Sequence, residues 1–156
     1  MTNTETQGLA LIVEAGIATQ EEVRMAIQSA EEKKQTIYET LLTQKKLTDE
    51  KIGERLASLV RAPYVDLTTE TIEEGLFHLV PQVVASSKGA IVFGRQPEGV
   101  RAGMIDPRDV QMLHALEKRL GEPIVAHLIT LRSLEKALTQ YVGSLAEAFK
   151  NINQRI

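Results

Sequence analysis

An apolar pattern in the first 61 residues recurs after 29 residues, and this repeat constrains the fold more than any other feature of the sequence. Each copy has a short apolar run, then a threonine followed by acidic residues, then apolar residues at helical spacing. The corresponding pairs are Ile12 and Leu41, Val13 and Leu42, Ile17 and Lys46, Thr19 and Thr48, Glu21 and Glu50, Val23 and Ile52, and Ile27 and Leu56. Threonine and acidic residues in this order favour a helix N-terminus. Residues 7–61 are therefore predicted to form two tandem helical hairpins whose apolar faces pack against each other.

Local signals define the ends of the helices in the first hairpin. Thr19 and Glu22 have the spacing of a capping box, in which the threonine oxygen accepts a backbone N–H and the glutamate reaches back. Gly16 suits the left-handed residue that closes many helices, so the first helix is predicted to end there. The charged stretch Glu31-Glu32-Lys33-Lys34 separates the two copies and is interpreted as a solvated helix end.

The pattern changes at Ala62-Pro63, because proline disfavours helix at the residue before it. Strands are predicted at residues 64–67, 90–93, 100–105 and 124–129, and helices at 70–87 (with Pro81 starting or kinking a second segment), 109–120 and 130–143. The predicted fold class is α/β, more strictly α+β. An N-terminal bundle of two helical hairpins (residues 1–62) precedes a small α/β sandwich with a three- to four-stranded sheet (63–143), and residues 144–156 start a linker or a C-terminal helix.

The composition excludes several classes of function. The chain has no cysteine, which excludes disulfides, thiolate zinc sites and cysteine nucleophiles. Its formal net charge of −3 gives no basic footprint for nucleic acid, so no nucleic-acid partner is expected. The N-terminal MTNTETQG lacks the order of a signal peptide, and no apolar run approaches the roughly 20 residues that span a bilayer. A cytoplasmic protein without direct membrane insertion is therefore predicted.

Residues that could carry chemistry all have simpler structural interpretations. No segment matches the GxxxxGK[ST] loop of nucleotide hydrolases, so the chain is not predicted to be an enzyme. Three histidines lie far apart without the pairing of metal ligands, at His78, His114 and His127. Ser86 and Ser87 are not in a nucleophile elbow. Asp106 and Asp109 are interpreted as a helix stop and cap, although an exposed Asp106 could also contact a ligand. We predict no catalytic residue and no metal site.

With these elements placed, the sequence resembles the N-terminal region of type II secretion and type IV pilus assembly ATPases. The tandem helical motif of that family is similar to GLALIVEAGIATQEEVRMAIQ, and its link into an α/β part is similar to RAPYVDL. Its second unit is similar to LVPQVVASSKGAIVF followed by GMIDPRDVQMLHALEKRLGEPIVAHLIT, and its exit toward the ATPase core to YVGSLAEAF. The resemblance covers roughly residues 7–150, and the order and spacing of the segments make it specific.

The resemblance implies a docking and regulatory module without a reaction of its own. The implied partners are the cytoplasmic part of an inner-membrane platform protein and the rest of the ATPase. This would place the chain in the cytoplasm, peripheral to the inner face of the membrane. The alternative implied function, found in a subset of the family, is that of a receptor for cyclic di-GMP or another nucleotide, bound across the two repeats.

The sequence departs from the nucleotide-binding form of the family at its polar positions. That form opens each repeat with Arg-Leu-Gly, where this chain has Gln7-Gly8-Leu9 and Thr36-Ile37-Tyr38. Both arginines, the residues best suited to hold a phosphate, are therefore replaced. By the resemblance, a retained nucleotide would lie at Gln7, Leu9, Leu11, Gly16, Thr36, Ile37 and Asp106. The departures favour docking, with no cofactor, over nucleotide binding.

Overall fold

The computed structural model of the chain describes residues 1–141. These residues form eight helices and one three-stranded sheet. The elements are α1 (Asn3–Glu14), α2 (Gln20–Lys33), α3 (Ile37–Lys45), α4 (Asp49–Val60), α5 (Glu74–Phe77), α6 (Gln82–Lys88), β1 (Ala90–Gln96), β2 (Gly99–Met104), α7 (Val110–Leu120), β3 (Ile124–Leu128) and α8 (131–141). The predicted α+β fold, with helices first and a mixed part after residue 62, is confirmed. The predicted end of the last helix at Gly143 and the segment 144–156 lie outside the described residues.

Two capping boxes fix the starts of the first two helices. The predicted box of α2 is confirmed, because Thr19 Oγ1 accepts from the Glu22 amide at 3.1 Å and Glu22 Oε1 accepts from the Thr19 amide at 3.0 Å. A second box joins Thr2 and Glu5, so α1 begins at Asn3, before the repeat. The Thr-x-x-Glu spacing was present in the sequence, but it lies outside the repeated pattern and went unused.

The two repeats are out of register by one residue in their first helices. Gly16 closes α1 with a left-handed φ of 73°, and the equivalent residue after α3 is Lys46, with a φ of 54°. The same closing bond runs from the Ile17 amide to Ile12 in one repeat and from the Leu47 amide to Leu42 in the other. The predicted pairing of Gly16 with Lys45 is therefore wrong, and so are the pairings of Ile12 with Leu41 and Val13 with Leu42. The second turn is one residue shorter, because Thr19 and Thr48 still begin α2 and α4.

This register leads to opposite expectations for two adjacent lysines. Lys46→Gly should stabilise the chain by about 1 kcal/mol, because a left-handed conformation costs a residue with a Cβ roughly that much more than glycine. Lys45→Gly should destabilise it by about 1 kcal/mol, because Lys45 is helical and glycine is a poor helix former. Urea denaturation of both variants tests the register. If Lys45→Gly were the stabilising change, the shift between the repeats would be wrong.

The sheet has the order β1-β2-β3. Strands β1 and β2 form the predicted antiparallel hairpin, with an irregular register between Val92 and Gly94. β3 pairs parallel to β2 after the crossover through α7. An isolated parallel bridge between Tyr64 and Leu128 adds the start of a fourth position at the β3 edge. The predicted three- to four-stranded sheet is thus confirmed, and it places the end of β2 and the start of α7 beside the helical part.

One hydrophobic core runs through both parts of the chain, from Leu9 on α1 to Tyr141 on α8. Two glycines permit the closest approaches across the boundary. A Cβ added at Gly8 of α1 would lie 2.9 Å from the Leu131 side chain, and one added at Gly53 of α4 would lie 2.3 Å from the Tyr64 ring. Helix α1 is therefore seated against α8 by a glycine in its middle. No helix within residues 1–141 is long and apolar enough to cross a membrane.

His127 on β3 makes stability depend on pH. Its ring is only 6% exposed, lies edge-on to Phe93 and is held by a 3.1 Å contact between Nδ1 and the Val125 carbonyl. Burial, followed by the nearby Arg101 charge, lowers the pKa of His127 below its usual 6.5. The unfolded chain therefore binds more protons than the folded chain below about pH 6.5, so folding stability falls as the pH is lowered.

His127→Asn should flatten part of this dependence. The asparagine amide can replace the Nδ1–H donor but does not titrate. Free energies of unfolding measured from pH 7.5 to pH 5 should fall less steeply for the variant than for the natural chain. Parallel curves would mean that His127 titrates alike in the folded and unfolded states.

Candidate functional site

Helix α1 lies at the centre of the candidate functional site, because it lines three depressions of the surface. Its N-terminal half packs on α6, where Thr4 Oγ1 donates to the Ser86 carbonyl at 2.7 Å. Its C-terminal end is tied to the segment between β2 and α7 by an ion pair of Glu14 and Arg108. Because both ends of α1 are fixed, the depressions beside it have defined walls.

The first depression, the apolar groove, runs between α1 and the start of α2 and has a volume of about 280 Å³. Its lining is mostly apolar and consists of Met1, Thr6, Leu9, Ala10, Val13, Gln20 and Val23. Leu9 is buried and forms the floor, whereas Ala10 is exposed and Val13 is half-buried. Val13 lies outside the main hydrophobic core, so its side chain serves the surface more than the interior.

The second depression, the polar cleft, lies between α1 and the facing ends of α6 and α7 and has a volume of about 310 Å³. Gln7 of α1 faces Lys88, which is in the last turn of α6, and Asp109, which caps α7. Asp109 is engaged by the Met112 amide at 3.1 Å, as the predicted cap requires. Lys88 is the only basic side chain in the lining and could attract an anion.

The third depression, the Thr36 cavity, lies between the starts of α1 and α3 and the side of α8. Its volume is about 250 Å³. Three leucines of α8 line it, and the capping residues Thr2 and Thr36 contribute polar groups. Carboxylates of Glu5 and Glu135 also line it, and no basic residue does. This cavity is therefore unsuited to phosphate groups.

An arginine clamp joins Asp106 to the end of α1. Arg108 donates to Glu14 through two bonds of 2.8 and 3.1 Å, and its Nε donates to Asp106 at 3.1 Å. The hydrogen bonds to Glu14 and then to Asp106 raise the pKa of Arg108, and the same bond to Glu14 lowers the pKa of that carboxyl. Asp106 also accepts from the Arg108 amide, so its carboxylate is already engaged.

The structure distributes the residues of the predicted nucleotide site over several places. Gln7 lines the polar cleft and Thr36 lines the Thr36 cavity. Leu9 and Leu11 are 3% and 2% exposed and belong to the hydrophobic core. Gly16 is exposed in the turn two residues after Glu14, and Asp106 reaches that end of α1 through the arginine clamp. Ile37 is half-buried beside Thr36. The predicted residues therefore share α1 and its neighbours but do not line one pocket.

Some residues around α1 were not predicted. Arg108 and Lys88 come from the mixed part of the chain, and Arg108 bonds to a residue 94 positions earlier. No local pattern signals such a contact, although the charge of Arg108 inside the Asp-Pro-Arg-Asp segment was visible. Within residues 1–141, no three His, Asp or Glu side chains lie close enough together to hold a metal ion.

The arrangement of helices and sheet is that of the N-terminal domains of secretion and pilus ATPases. The sequence pattern of the MshEN domain family matches residues 60–148. This match covers more than half of the chain, and the chain belongs to the MshEN domain family. No curated protein sequence matches it.

Two solved structures have the same fold. One is a structure of MshE with cdg, 24% identical in sequence with a TM-score of 0.53, and it covers 86% of this chain and 97% of that one. The other is the N-terminal domain of XpsE, 17% identical with a TM-score of 0.53, and it covers 89% of this chain and 96% of that one. The fold extends over the helical part as well as over the region that the family pattern matches. The predicted recognition of the family is confirmed.

Proposed function

We propose that this chain is a non-catalytic docking module that couples a type II secretion or type IV pilus motor to its platform at the inner membrane. The observation that carries the proposal is the apolar groove between α1 and α2. It exposes an apolar surface on a helix whose two ends are held in place. In this proposal the partner is the cytoplasmic domain of the platform protein, so the module works in the cytoplasm, at the inner face of the membrane. The remainder of the motor supplies ATP hydrolysis.

Physical chemistry supports the groove as the contact surface. Covering apolar surface contributes roughly 25 cal/mol per Å² removed from water. A concave apolar surface beside a helix is also suited to a complementary helix. The polar alternatives are weaker supports, because the carboxylate of Asp106 is already bound by Arg108.

A matched pair of double variants tests the proposal. The α1 double variant replaces Ala10 and Val13 with glutamine, and the α7 control variant replaces Val110 and Ala115 in the same way. Val110 is 56% exposed and Ala115 is exposed, so the control makes the same chemical change away from α1. Glutamine is a good helix former, so both variants should remain folded.

Calorimetry with the purified cytoplasmic domain of the platform protein gives the readout. The natural chain and the α7 control variant should bind with similar affinity. The α1 double variant should bind at least tenfold more weakly, because it places polar groups in the contact. Equal binding by both variants would move the docking surface away from the groove, and no binding by the natural chain would remove the proposed function.

A receptor for cyclic di-GMP is the second candidate, and it is favoured by the shared fold with MshE, whose structure was determined with cdg. Gly16 and Lys88 are the features of this chain that would support it, as a left-handed turn and a cation beside α1. A receptor would gain about 2.7 kcal/mol of stability at a ligand concentration 100 times Kd. Under the docking proposal, thermal unfolding with cyclic di-GMP up to 1 mM shows no saturable shift.

A further inference from the structure

We propose that the occupant of the apolar groove is an amphipathic helix whose apolar face is flanked by basic residues. This inference rests on the proposed docking function and specifies the chemistry of the partner. The supporting observations are the length of the apolar row along α1 and the charge of the two helices that form the walls.

The apolar groove has the dimensions of a helix contact. Thr6, Ala10 and Val13 follow one another on α1 at the spacing i, i+4, i+7. At 1.5 Å per residue, this row is about 10 Å long, or two helical turns. Val23 forms the opposite wall from the first turns of α2. A partner helix that presents apolar residues at i, i+3, i+4 and i+7 matches this row.

The walls of the groove are acidic. Helices α1 and α2 together carry six glutamates and only two basic residues. Glu14 and Glu22 are paired with basic residues from elsewhere in the fold. Glu31 and Glu32 are exposed at the far end of α2, and no ion pair involves them within residues 1–141. An acidic flank attracts a basic partner and repels an acidic one.

Two synthetic peptides of opposite charge test this inference. Both have four turns and the same leucines at i, i+3, i+4 and i+7, but one has lysine and arginine at its flanks and the other has glutamate. Fluorescence anisotropy with the full chain should show binding of the basic peptide at least tenfold tighter than that of the acidic peptide. The difference should shrink as salt is raised from 0.05 to about 0.5 M, because salt screens exposed charges.

Variants separate the two components of recognition. The α1 double variant should lose binding of the basic peptide, and the α7 control variant should keep it. Glu31→Gln with Glu32→Gln should weaken the basic peptide about threefold or more. The same change at Glu54 and Glu135, which are exposed on other helices, should leave its affinity unaltered.

The possible outcomes distinguish this inference from the proposed function. Equal binding of the two peptides would overturn the charge preference. Binding of the platform domain without binding of either peptide would overturn the inference and leave docking intact. Concentration-dependent dimers that the α1 double variant abolishes would assign the groove to a second copy of the chain and overturn the inference as well.

Discussion

Replacing Phe77 with alanine should destabilise the chain by about 4 kcal/mol, because deletion of a fully buried aromatic ring leaves a cavity. Phe77 lies in the short helix α5 and is 0% exposed. Its ring stacks on Tyr141 with a centroid distance of 3.9 Å. The Tyr141 hydroxyl donates to the Phe77 and Val80 carbonyls, and burial raises the pKa of Tyr141 to about 12. The ring therefore connects α5 to the last described turn of α8.

Urea denaturation followed by circular dichroism measures this effect. Phe77→Leu is the control, because it keeps most of the volume and should cost clearly less than the alanine variant. Phe77 lies away from the apolar groove, so folded Phe77→Leu should still bind the platform domain. A loss below about 1.5 kcal/mol for Phe77→Ala would mean that α5 is not packed as described.

Tyr38→Phe should cost about 2 to 3 kcal/mol, the value for a hydrogen bond to a charged group. The Tyr38 hydroxyl donates to Asp49 Oδ1 at 2.5 Å and joins the start of α3 to the start of α4. Burial, followed by this hydrogen bond, raises the pKa of Tyr38, so the phenol stays protonated and remains the donor. Asp49 is only 6% exposed, and the substitution leaves its carboxylate without this donor.

A double-mutant cycle isolates the pair. Asp49→Ala should also destabilise, and the combined Tyr38→Phe and Asp49→Ala variant should cost at least about 1 kcal/mol less than the sum of the two single changes. Strict additivity would mean that the two side chains do not interact. The cycle also tests the second repeat, because this hydrogen bond spans its shortened turn.

The elements that the sequence predicted well depend on local signals. The capping box at Thr19, the break at Pro63 and the start of α6 at Pro81 each depend on a few adjacent residues. The strands were recognisable because short apolar runs are bounded by glycine and proline. The interval 70–87 was less accurate, since only Glu74–Phe77 and Gln82–Lys88 are helical, and residues 68–73 form turns and extended backbone.

The register of the repeat could not be predicted, because it depends on a lysine in an unfavourable conformation. Glycine at the helix end is the usual signal, and Lys46 takes that place without one. Alignment by residue type instead selected Lys45. The buried pairs Leu11-Ile12 and Leu41-Leu42 agree with the structural register, but periodicity alone did not separate the two choices.

The candidate site was predicted only in part, since it is formed by contacts between distant segments. The sequence directed attention to α1 and to Asp106, both of which belong to the surface around α1. The arginine clamp, the polar cleft beside Lys88 and the burial of Leu9 and Leu11 depend on how α1 packs against the mixed part. Those contacts are set by tertiary packing at Gly8 and Thr4, which no local pattern encodes.

Hydrogen exchange of the chain with and without the platform's cytoplasmic domain tests the central claim most directly. If docking uses the apolar groove, binding should slow amide exchange in residues 6–23, which contain both walls of the groove, and the α1 double variant should show no such slowing. Slowed exchange confined to residues 63–141, with residues 6–23 unchanged, would contradict the account.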